Sequence, residues 1–125
     1  MPAMLSASDV KDVLFAVWPA ESDAVGPELI EMIAEGETNF EYDEGGSHLD
    51  FGAMIELLKL SVEMISIGLT VREIVQGLNA PRRNAFITMF EQFLQSEFER
   101  IPPEKRRALL DEAVRRAETG SLHDT

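Results

Sequence analysis

Apolar residues recur along this chain mostly at intervals of three and four, the spacing that builds one face of an α-helix, and Gly and Pro fall between the periodic stretches. Val10, Val13, Leu14, Val17 and Trp18 predict a first helix over residues 8–18, capped by Ser8 and ended by Pro19. Leu29, Ile30, Met32 and Ile33 predict a short second helix, with Pro27 in its first turn and Gly36 as its stop. The third, over 48–67, is apolar around most of its circumference and leaves only Glu56, Lys59 and Glu63 as a polar stripe. A helix of that kind is normally surrounded by others. Ser47 with Asp50 would cap it, and Gly68 is its expected end. Thr70 with Glu73 then resembles a second capping box, opening a short helix to about Leu78.

Beyond the turn at Asn79-Ala80-Pro81, the residues Phe86, Met89, Phe90, Phe93, Leu94 and Phe98 make the cleanest amphipathic pattern in the chain. This stripe predicts a helix over 81–100 whose apolar side is core, with a partner-helix groove as the alternative. Pro102-Pro103 ends that helix and opens the last one, over 103–119, which Gly120 would cap. Asp111–Arg115 and Glu112–Arg116 are favourable pairs on its exposed side, each worth roughly 0.2–0.5 kcal/mol. Residues 38–46 read as an irregular loop, with a short extended segment at Asn39 to Tyr42 as the alternative. The expected fold is all-α: a compact bundle of five or six helices around the central apolar helix at 48–67. It forms one domain over 1–120, followed by a flexible tail at 121–125.

Composition sharpens this picture. An apolar content of 45% in 125 residues suits a single globular domain. Cysteine is absent, so disulfides, thiolate metal sites and a cysteine nucleophile are all excluded. Met1 to Asp9 contains no basic segment followed by an apolar run, and no stretch reads as a membrane span, so the expected location is cytoplasmic.

Charge changes the picture more. Residues 1–69 hold two basic and fourteen acidic residues, whereas residues 70–125 hold nine of each. The whole net charge of −12 therefore lies in the first half. That magnitude exceeds the roughly 2–8 that suffices to keep a small domain soluble. A dense acidic face suits a basic protein surface and repels a phosphate backbone. The first functional reading is thus a non-enzymatic, acidic protein-interaction module, an accessory, inhibitory or immunity-type protein. Glu28, Glu31, Glu35, Glu37, Glu41, Asp43 and Glu44 are its candidate contact residues.

The alternative is a helix–turn–helix DNA-binding regulator spanning residues 70–90. Its second helix would offer Arg82, Arg83, Asn84 and Thr88, with Arg72 from the first, to phosphates and base edges. The proline in the turn, Glu91, Glu97 and Glu99 further on, and the overall charge all oppose it. A homodimer is compatible with either reading. Catalytic signatures are lacking: there is no Gly-x-Ser-x-Gly, no P-loop and no Gly-x-Gly-x-x-Gly. His48 and His123 do not fall at metal-ligand spacing with the acids, so no metal or cofactor is expected.

Overall fold

A computed structural model of the chain describes residues 5–36 and 49–123, with the side chains of 49–51 and 119–123 excepted. Six α-helices and no strand occur among the described residues: α1 (Ala7–Val17), α2 (Pro19–Val25), α3 (Pro27–Ala34), α4 (Leu49–Gln76), α5 (Ala80–Glu97) and α6 (Pro103–His123). The segment at 38–46 and the capping residue Ser47 lie outside the described residues.

The first helix opens with a cap two residues earlier than expected. Ser6, not Ser8, accepts the Asp9 backbone N–H at 3.1 Å, and its hydroxyl donates to the Asp9 carboxylate at 3.1 Å. Ser6 is thus the N-cap, and the Asp9 carboxylate three residues on holds its hydroxyl rather than its backbone N–H. Pro19 ends α1 but also starts α2, a seven-residue helix that periodicity alone does not announce. Gly26, at φ +97°, turns the chain between α2 and α3, where a side chain would be strained. The buried Ser22 hydroxyl donates to the Leu14 carbonyl at 3.1 Å and fixes the α1–α2 corner.

The central helix is longer than its sequence suggests. α4 runs unbroken for 28 residues, about 42 Å, and packs against each of the other five helices. Gly68 does not end it. A Cβ at that position would stand 2.2 Å from Leu110 Cδ2, so the glycine is where α6 crosses closely. Thr70 caps nothing, because its hydroxyl donates to the Ser66 carbonyl one turn back, inside the helix. Ile55, Leu58, Ser61, Met64, Ile65 and Gly68 form the buried side of α4. They meet Val13 and Leu14 of α1, Ile30 and Ile33 of α3, and Leu109 and Ala113 of α6 in one core. α6 likewise continues past Gly120, its expected cap, to His123.

The largest departure concerns the phenylalanine stripe. The backbone of α5 comes close to that of α4 alone, α6 reaching it through the Arg106 side chain, and of its own residues only Leu94 is buried, with Phe98 buried just beyond its end. Phe86 and Phe90 are half-buried, whereas Met89 is 67% exposed and Phe93 40%. The expectation that the stripe is core thus holds only at its C-terminal end. None of residues 69–93 is buried. The last two turns of α4 and most of α5 form an arm outside the core.

Candidate functional site

The acidic side of α3 follows from its register. Glu28, Glu31 and Glu35 are spaced three and four apart, within about 60° on a helical wheel. Ile30 and Ile33 lie on the opposite side and are wholly buried, which turns the three carboxylates to solvent. None of the three forms a salt bridge among the described residues. Glu37, Glu41, Asp43 and Glu44 lie outside the described residues.

The charges of α6 behave differently, because they bind the fold. Glu112 takes both Arg115 and Arg116, and Arg116 also reaches Asp12 of α1 at 3.5 Å. The hydrogen bond from Arg115 holds the Glu112 carboxyl below the usual range, assisted by the charges of Arg115 and Arg116 and opposed by burial. Lys105 and Arg106 stand in the first turn of α6, where the helix dipole favours acids. Their side chains act elsewhere. Lys105 donates to the Val17 carbonyl at 2.7 Å, with its Nζ 5.1 Å from the centre of the Trp18 ring. Arg106 donates to the Leu94 carbonyl at 2.9 Å and the Phe98 carbonyl at 3.4 Å. Two adjacent cations thereby satisfy the C-terminal ends of α1 and α5. Their unfavourable position on their own helix was the sequence signal for this role.

The residues of the DNA-binding reading are scattered. Arg72 is turned to α6, where it pairs with Glu118 at 3.0 Å. Arg82, Arg83, Asn84 and Thr88 are exposed at the start of α5, but helical geometry separates them. Arg82 and Arg83 flank the Phe86 side, and Asn84 and Thr88 point away from it. Asn79 caps the helix by accepting the Arg82 backbone N–H, Arg83 donates to the Leu78 carbonyl, and Thr88 donates to the Asn84 carbonyl. The short first helix of the motif does not exist separately, since it is the end of α4.

A groove of about 270 Å³ lies between α5 and α6, where Glu91 and Asp111 share the lining with Arg106 and Arg107. No group of three or more metal-ligating side chains occurs among the described residues, and no described helix is long and apolar enough to cross a membrane. The feature missed by sequence reading is the apolar surface that the arm leaves in solvent: Met89 and Phe93 on one side of α5, Ile87 at 36% exposure on the other, and Ile74 at 46% on α4. Periodicity reports that a helix has an apolar face, not what covers that face. Compared with known proteins, the chain matches no family model, no curated protein and no solved structure.

Proposed function

We propose that this chain is a non-enzymatic interaction module that binds a partner protein through a basic surface, in an accessory, inhibitory or immunity-type role. The observation that carries the reading is the outer side of α3, where Glu28, Glu31 and Glu35 lie side by side and exposed, with no salt bridge to a cation among the described residues. They belong to the half of the chain that carries the entire net charge. Uncompensated carboxylates on a rigid helix project a negative potential that steers a basic partner and fixes its orientation. The same charge disfavours nucleic acid as the ligand of this face.

The test is affinity capture from an extract of the source cells on the immobilised full chain. Bound protein should be retained at about 0.1 M salt and released at about 1 M, where the screening length falls to about 3 Å. The variant E28K/E31K/E35K should retain at least about tenfold less of it, and E63K/E99K/E104K, with the same net charge placed elsewhere, should retain it as the parent does. Equal loss in both variants, or binding indifferent to salt, would refute the reading.

A further inference from the structure

We infer that the arm is one half of a symmetric homodimer, in which α5 lies antiparallel against α5 of a second copy about a two-fold axis passing beside Met89 and Phe90. Helices this short in water depend on burying a face. The arm buries its apolar residues only in part: Phe86 and Phe90 are half-buried, Phe90 against the core, whereas Ile74, Ile87, Met89 and Phe93 stand exposed.

The charges on α5 say which partner fits. Its only basic residues, Arg82 and Arg83, stand at the N-terminal end, and its only acidic ones, Glu91 and Glu97, stand in the C-terminal half. Each sign is at the wrong end for the helix's own dipole. An antiparallel copy corrects both ends at once. The register that sets Arg82 opposite the partner's Glu97 also sets Phe86 opposite the partner's Phe93, because both pairs are symmetric about the Met89–Phe90 peptide. Arg82, Phe86, Met89, Phe93 and Glu97 follow one another at intervals of three and four, so they share one side of the helix. A two-fold contact of this kind closes on itself and requires this self-complementarity. Residues 70–100 hold four basic and four acidic residues, so two strongly acidic chains meet where neither is charged overall.

Sedimentation of the full chain from about 1 to 200 µM tests this. The expected mass is twice 14.0 kDa. M89E alters a side chain outside the core and should weaken association at least about 100-fold. R82E should weaken it about tenfold, and R82E/E97R should restore it, since the swap regenerates both pairs. E28K/E31K/E35K should leave the mass unchanged, which separates this surface from the α3 face. A single-chain mass throughout, or a dimer indifferent to M89E, overturns the inference. Failure of E97R to rescue R82E overturns the antiparallel register.

Discussion

Trp18 sits where α1, α4 and α6 meet, and each of its polar obligations is met by a different helix. Its indole N–H donates to the buried Ser61 hydroxyl at 3.0 Å, and that hydroxyl in turn donates to the Leu57 carbonyl at 2.9 Å. Lys105 stands by the ring. Truncating Ser61 leaves a buried N–H without an acceptor, a cost of about 1–3 kcal/mol. S61A should therefore lower stability by that amount in urea denaturation followed by circular dichroism. W18F/S61A, which removes both partners, should cost little more than W18F alone. A loss below about 0.5 kcal/mol for S61A would show that the bond contributes nothing. Little of this was legible in the sequence. Ser61 reads as one polar residue in an apolar run, and what makes it a partner is the approach of α1 across 43 residues of sequence. Ser6 was legible, because Asp9 stands three residues on, but Ser8 offered the same hydroxyl nearer the first valine.

Elements were read well where one face carries the signal and poorly where a neighbour decides. α1, α3 and α5 lie close to their expected spans, since their starts are set by local caps and prolines. α4 is the instructive case. A glycine after an apolar run signals a helix end, yet Gly68 lies inside because α6 needs the space of a missing side chain. Two opposing terms follow for G68A. Alanine improves helix propensity by about 1 kcal/mol, and its methyl must displace the end of the Leu110 side chain, an overpacking cost of about 1–3 kcal/mol. The two substitutions should therefore be coupled. G68A should be stabilising by about 1 kcal/mol in an L110A background and less favourable in the parent. Urea denaturation of the four proteins measures this, and additive effects would show that Leu110 is not the obstacle.

At the scale of the whole molecule, one core built mainly from α1, α3, α4 and α6, with Val25 of α2 and Leu94 of α5, supports two surfaces of different character. The charge asymmetry of the sequence predicted the first, the acidic side of α3. The second, the arm, was hidden because an apolar stripe looks the same whether its partner is intramolecular or a second chain. The arm's independence from the core has a kinetic signature. At high dilution, amides of residues 80–93 should exchange hydrogen at least about 100-fold faster than those of α1, and they should slow as protein concentration rises. Equal protection at every concentration would mean that the arm folds and unfolds with the core. The lone tryptophan gives this division a spectroscopic edge. Buried among α1, α4 and α6, its emission registers the opening of the core and is blind to α5. A melting curve recorded by fluorescence would describe only part of the molecule, and its disagreement with a helicity curve would measure how loosely the rest is attached.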